Sequence, residues 1–145
     1  MVGPELQARR AAKQCIAEVE ATPIVNMFLK LPKRVQHRDV LWWEDNTVTL
    51  STMIKGGSSS KDCDRAAAVV HLCSAFLRSR VWWEYIESKS VWSDGASRLL
   101  GLDPFAKSHG LPLVGVDTPM WPWVCGADEL VEQLKSTLRA ALGGD

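Results

Sequence analysis

The sequence predicts an α/β domain organised around a parallel sheet, and three observations lead to that fold class. Two short runs rich in β-branched and aromatic residues, 40–43 and 81–86, lack polar alternation, which is typical of strands covered on both faces. Residues 44–80 separate the runs, and a connection of that length allows the crossover that parallel neighbours need. Apolar residues at helical spacing occupy the segments before, between and after the runs.

The composition fits one folded domain. A chain of 145 residues is long enough to bury a core, and 46% hydrophobic content with seven Trp excludes disorder. Seventeen basic and seventeen acidic residues cancel, so any contact with nucleic acid must be a local patch. No apolar run reaches the roughly 20 residues of a membrane span, and the first residues do not resemble a signal peptide. We therefore expect an intracellular protein, nuclear or cytoplasmic, without membrane contact.

The segment before the first strand is expected to be helical, with apolar residues recurring at helical spacing over residues 16–31. Pro23 is expected to kink this helix or to begin a new one, and Pro32 to end it. Residues 33–38 then make a basic loop, which is a candidate for phosphate contact although such charged runs are usually only solvated.

The connection between the strands is predicted to hold two helices. Residues 47–54 form a short helix that ends at Gly56 and Gly57. The hydroxyls of residues 58–60 are available to cap a second, longer helix. The buried stripe of that helix is expected to comprise Ala66, Val69, Val70, Cys73, Phe76 and Leu77.

The chain becomes less regular after the second strand. Residues 91–99 are expected to form a short helix with Asp94 in its first turn. Residues 100–126 are rich in Gly and Pro, with one short extended piece at 113–116. An amphipathic helix at about 127–142 is acidic at its start and basic at its end, as the helix dipole favours. The resulting organisation is a polar leader, a core and a C-terminal extension that packs on the core, at residues 1–14, 15–100 and 101–145.

The cysteines and most of the tryptophans are expected to be buried. The wide spacing of Cys15, Cys63, Cys73 and Cys125 suits reduced, buried thiols better than disulfides. A zinc site of Cys63, His71 and Cys73 is a minor alternative, because zinc ligands are usually spaced more tightly and in pairs. The tryptophans in the strands are expected to pack in the core rather than to stack on bases, and these are Trp42, Trp43, Trp82 and Trp83.

Three carboxylates lie where a fold of this class can bring them together. Asp45 follows the first strand, Asp94 follows the second, and Glu20 lies on the first helix. Clustered carboxylates repel one another unless a cation is present, and Mg²⁺ or Mn²⁺ is the natural partner of such oxygen ligands. The spacing alone leaves a second interpretation open, since an Asp after a strand often serves as a helix cap or turn residue.

Three motifs resemble the ribonuclease H-like domain of retroelement (retrotransposon) reverse transcriptases. They are QCIAEVEA at residues 14–21, WEDNTV at 43–48 followed by IKGGS at 54–58, and WEYIESK at 83–89 followed by DGASR at 94–98. Their order and spacing agree with that family over about residues 14–98. Because the motifs agree jointly and not singly, the resemblance is fairly specific.

The resemblance implies a ribonuclease H-like core, with parallel strands flanked by helices and without the opening β-hairpin. Glu20, Asp45 and Asp94 match the second, third and fourth acidic residues of the family's metal site, which makes them the expected catalytic residues and ligands for Mg²⁺ or Mn²⁺. The implied activity is two-metal cleavage of RNA in RNA–DNA hybrids. Residues 1–14 offer no counterpart of the strand that carries the first aspartate, so catalysis is expected to be impaired.

The implied partner is an RNA–DNA hybrid or duplex nucleic acid. Other polar residues in or beside the motifs are the expected contacts to it, namely Asn46, Lys55, Ser58, Lys89 and Arg98. An alternative of a different class is a non-catalytic remnant that acts as an interaction or scaffold module. A sheet without its hairpin exposes an edge, through which a second copy or a companion chain can pair.

Overall fold

The computed structural model describes residues 17, 19–91, 103–112 and 126–143, which form a mixed α/β fold. The first helix, α1, covers residues 19–30, and Ala17 is also helical. The other elements are, in chain order, α2 (Pro32–Val35), β1 (Asp39–Glu44), α3 (Thr47–Lys55), α4 (Lys61–Leu77), β2 (Arg80–Tyr85), a 3₁₀ turn (Ser88–Ser90), α5 (Pro104–Ser108) and α6 (Ala127–Leu142). None of the helices in this part of the chain is long and apolar enough to span a bilayer.

The two strands pair in parallel, as the sequence predicts. Their register runs from Asp39 opposite Arg80 to Glu44 opposite Tyr85. α3 and α4 make the crossover between the strands, and α3 contacts both of them. The parallel arrangement places the carboxyl ends of β1 and β2 at the same end of the sheet, where α/β folds usually bind ligands.

One hydrophobic core joins the helices to the inner face of the sheet. The stripe predicted on α4 is buried in it except for Phe76, which is exposed. α6 contributes Leu130, Leu134 and Leu138, whose spacing of four places them on one helix face, so this helix packs on the core. The largest fully buried side chains include Phe28, Ile24, Met53, Leu77 and Leu138.

The expectation that both faces of the strands are covered is wrong. Trp42 and Trp83 pack against the core from the inner face, as predicted. Trp43 and Trp82 point to the outer face and are 54% and 64% exposed, and Leu41 beside them is 53% exposed. Successive side chains of a strand alternate between faces, so each Trp–Trp pair necessarily sends one ring to each side. In the described residues, helices therefore bury only one face of this sheet.

The predictions at Pro23 and after Pro32 are each corrected in one respect. The helical assignment of α1 runs through Pro23, so no new helix begins there. Pro23 is exposed, and on the solvent side of a helix the carbonyl that loses its bond partner can bind water. Pro32 ends α1 as predicted, but it also opens the short helix α2 at its first position, where its missing N–H costs nothing. The predicted basic loop is therefore partly helical.

The turn before α4 is also built differently from the prediction. Ser60 occupies the N-cap position, but its side chain makes no capping bond to the helix. Instead, Ser58 Oγ accepts the Ser60 N–H at 3.2 Å, and Asp64 Oδ1 accepts the Ser58 N–H at 3.0 Å. The serines therefore order the turn rather than cap the helix.

The cysteines that the structure describes are buried thiols that form no disulfide, as predicted. Cys63 and Cys73 lie in α4, and burial raises the pKa of Cys73 to about 12. Among the described residues they form no metal-binding group with His71, whose Nε2 lies 2.7 Å from the carbonyl oxygen of Met53. The predictions for residues 1–14 and for the extended piece at 113–116 lie outside the described residues. The helix predicted over 91–99 lies outside them as well, except for Val91, which is not helical.

Candidate metal centre

Three carboxylates meet at the carboxyl end of β1. Glu20 comes from α1, Glu44 is the last residue of β1, and Asp45 follows it. One oxygen of each lies within 4.8 Å of the others. The sequence predicted the approach of Glu20 to Asp45, and the structure brings these two side chains together.

The position of α1 beside the strand end follows from its contacts with α3. Thr49 Oγ1 donates a hydrogen bond to the Ala17 carbonyl oxygen at 3.3 Å, and both groups are buried. This bond holds the start of α1 against the first turn of α3. Because α3 begins directly after β1, the same bond holds Glu20 near the end of the strand.

Asn46 connects the helix cap to the carboxylates. Its side-chain oxygen accepts the N–H groups of Val48 at 2.8 Å and Thr49 at 3.2 Å, which is an N-cap of α3. Its side chain also lies beside Glu20 and lowers the pKa of that carboxyl, as an amide donor does toward a carboxylate that can only accept. One residue thus starts α3 and orients a carboxylate of the cluster.

Glu44 is the most buried of the three carboxylates, with 6% of its surface exposed. Trp42 Nε1 donates to its Oε2, and the Asn46 backbone N–H donates to its Oε1, both at 3.2 Å. Burial raises the pKa of Glu44, and the charges of Glu20 and Asp45 add to that rise against the lowering effect of these hydrogen bonds.

Glu20 carries the feature that points most directly to a ligand. Its Oε2 is buried and has no hydrogen-bond partner, which is costly for a carboxylate oxygen. Burial raises the pKa of Glu20, and the charge of Asp45 raises it further, while the hydrogen bond from Asn46 lowers it. A proton or a cation at this oxygen relieves both the missing partner and the repulsion.

The donor set fits a hard divalent cation. All three ligand groups are carboxylates, which suit Mg²⁺ and Mn²⁺ and do not suit softer metals that prefer sulfur or imidazole. A divalent cation would also give the unpartnered Glu20 oxygen a partner and would offset the repulsion among the three carboxylates.

Sequence reasoning missed Glu44 as a member of the site. Glu44 directly precedes Asp45 at the end of a strand and lies on the same strand face as Trp42, but the sequence alone does not show which strand face is buried. Asp94, the third predicted ligand, lies outside the described residues, as does the predicted nucleic-acid contact Arg98.

The other predicted nucleic-acid contacts lie on different elements of the fold. Asn46 is engaged in the cap and with Glu20. Lys55 is exposed at the last position of α3, and Lys89 is exposed in the 3₁₀ turn after β2. Ser58 takes part in the turn before α4. The two lysines therefore remain available to phosphates, whereas Asn46 and Ser58 have structural roles.

No protein-family model, no curated protein and no solved structure matches this chain. Its chemistry is therefore interpreted from the carboxylate cluster, its surroundings and the sequence motifs.

Proposed function

We propose that this chain is a ribonuclease H-like domain of retroelement origin that binds Mg²⁺ or Mn²⁺ and acts on the RNA strand of RNA–DNA hybrids. The observation that carries the proposal is the meeting of Glu20, Glu44 and Asp45, with a buried and unpartnered oxygen on Glu20. The motif resemblance supports it independently, because it assigns Glu20 and Asp45 to a metal site.

Glu20, Glu44 and Asp45 are the proposed ligands. When bound, a divalent cation supplies Lewis-acid assistance to phosphodiester hydrolysis. Asn46 holds the Glu20 carboxylate, and the Trp42 indole holds that of Glu44, so two of the three ligands are oriented by neighbouring donors. The resemblance adds Asp94 to this set, and Glu44 supplies a carboxylate that the resemblance does not include.

The nucleic acid is expected to lie across the carboxyl end of the strands. Lys55 and Lys89 are exposed on elements that follow β1 and β2. A chain with balanced charge binds phosphates through such local groups, so binding is expected to be moderate and to weaken with salt.

The test is cleavage of a hybrid labelled on its RNA strand, in Mn²⁺, by the wild-type chain and by Asp45→Asn. The matched control is Asp39→Asn, which makes the same chemical change at the exposed start of β1. We expect slow cutting of the RNA strand by the wild type and by Asp39→Asn, and none by Asp45→Asn.

Two results contradict the proposal. The first is cutting that survives Asp45→Asn, which would assign the activity to a contaminant or to another site. The second is the absence of both cutting and hybrid binding in wild-type protein that is shown to be folded by circular dichroism.

A further inference from the structure

The outer face of the sheet and the free edge of β2 form a surface that the metal centre does not use. In the described residues the sheet has two strands, so β2 pairs with β1 on one side and with no strand on the other. The outer face of β2 presents Arg80, Trp82 and Glu84, all exposed, with Trp82 the most exposed tryptophan of either strand.

The hydrogen bonds to β1 determine which backbone groups face the free edge. The Arg80 N–H donates to the Arg38 carbonyl at 3.0 Å, and the Ile86 N–H donates to the Glu44 carbonyl at 3.1 Å. Backbone groups of successive residues point to opposite sides of a strand. The N–H and C=O groups of residues 81, 83 and 85 therefore point away from β1 and are available to another strand.

The side chains on the outer face of β2 are self-complementary in charge. Arg80 and Glu84 lie two positions before and two positions after Trp82. In an antiparallel pair of β2 strands centred on Trp82, Arg80 of one copy lies opposite Glu84 of the other, and the second Arg80–Glu84 pair follows by symmetry.

We propose that two copies of this chain associate through the free edges of β2, antiparallel, about a twofold axis at Trp82. Val81 of each copy then exchanges backbone hydrogen bonds with Trp83 of the other copy. The two Trp82 side chains form a non-hydrogen-bonded pair, the position at which facing side chains lie closest. The product is a four-stranded sheet in which the indoles cover each other.

The register and the choice of strand both follow from charge. A pairing centred on Trp83 places Trp82 opposite Glu84 and Arg80 opposite Ile86, and it forms no opposite-charge pair. The outer face of β1 presents Asp39, Leu41 and Trp43, so this face has no basic group to complement Asp39. A pair of β1 strands would therefore form no opposite-charge pair on this face.

Arg80 can take part without losing its present partner. Its Nε and Nη2 donate to Asp39 at 2.7 Å and 2.9 Å, and its Nη1 takes no part in that pair. The guanidinium can therefore bridge Asp39 of its own copy and the partner's Glu84. An interface of this size is small, so the dimer is expected to be weak, with dissociation in the micromolar range.

A charge exchange tests the pairing by sedimentation velocity over a series of concentrations. Arg80→Glu gives a copy with two acids on this face, and Glu84→Arg gives a copy with two bases. Each variant alone is expected to weaken self-association by about tenfold or more, whereas an equimolar mixture is expected to form heterodimers at least as well as wild type. Glu129→Arg on α6 is the control and is expected to leave the dimer unchanged, since it lies outside β2.

A disulfide test reports the register directly, in a background with Cys15→Ser and Cys125→Ser. Trp82→Cys is expected to cross-link to itself under mild oxidation, because opposite residues at the axis lie within disulfide reach. Glu84→Cys is expected not to, since its two copies are offset by four residues, or about 13 Å. A wild-type chain that stays monomeric at high micromolar concentration, or equal cross-linking at both positions, would overturn the proposal. Neither result bears on Mn²⁺ binding, so this proposal is tested independently of the proposed function.

Discussion

The two faces of the small sheet carry similar side chains in opposite surroundings. The inner face places Val40, Trp42 and Trp83 against the helices, whereas the outer face leaves Trp43 and Trp82 more than half exposed. A Trp on the inner face adds to the stability of the fold, and a Trp on the outer face is available to a partner. The composition of a strand therefore does not determine which of its faces is covered.

The largest effect is expected from truncating the same residue type on each face. Trp83→Ala removes a ring that packs against the core and should lower the free energy of unfolding by about 3 kcal/mol. Trp82→Ala removes an exposed ring and should change the stability of the monomer by no more than about 0.5 kcal/mol. Urea denaturation at low protein concentration measures both, and equal losses would show that the outer face is covered in solution.

A smaller effect is expected at the strand end that carries the carboxylates. Asn46→Ala removes the cap of α3 and the donor to Glu20, and it should lower the free energy of unfolding by about 1 kcal/mol. Thr47→Ala, at the exposed first position of the same helix, is the control and should stay within about 0.5 kcal/mol of wild type. A cap variant as stable as this control would mean that the Asn46 side chain is dispensable to α3. Mn²⁺ affinity should fall only in Asn46→Ala.

The pH dependence of stability distinguishes the buried carboxylates from exposed ones. The pKa values of Glu20 and Glu44 are raised from the ordinary 4.5, so the folded state holds these protons more tightly than the unfolded chain does. Without metal, the resulting stability is fully present below pH 4.5 and is lost as the pH rises through the raised values. Thermal unfolding across this range should show the loss, and Glu44→Gln should reduce it.

Mn²⁺ should reverse this trend, because the cation binds the deprotonated carboxylates. Its stabilising effect should therefore grow over the same range in which the metal-free protein loses stability. A Mn²⁺ effect that is independent of pH would argue against Glu20 and Glu44 as ligands.

Much of the fold could be predicted because local signals agreed with tertiary packing. The apolar stripe of α4 apart from Phe76, the Gly56 end of α3 and the extent of α6 all lie where the pattern indicates. The helix α5 was missed inside a segment rich in Gly and Pro, although Asp103 caps it by accepting the Ala106 N–H at 2.9 Å. Five residues are too few for a periodic signal, so the Asp-Pro pair at its start is the sequence feature that indicates this helix.

The candidate site could be predicted only in part. The approach of Glu20 to Asp45 followed from family-like motifs and from strand-end geometry. Glu44 joins the site because the face of β1 that it shares with Trp42 is the buried one. Which face is buried is determined by the helices that pack against Trp42. A run without polar alternation contains no information on that choice, so the sequence could not distinguish a buried Glu44 from an exposed one.

Calorimetric titration with Mn²⁺ near neutral pH is the decisive experiment on the proposed metal centre, with wild type, Asp45→Asn, Glu44→Gln and the control Asp39→Asn in parallel. Saturable binding is expected for wild type and for Asp39→Asn. Binding to the two cluster variants should be at least about tenfold weaker, since even residues that only orient metal ligands contribute about 10–100-fold. Equal binding by all four proteins, or no binding by the folded wild type, would contradict a metal centre at Glu20, Glu44 and Asp45.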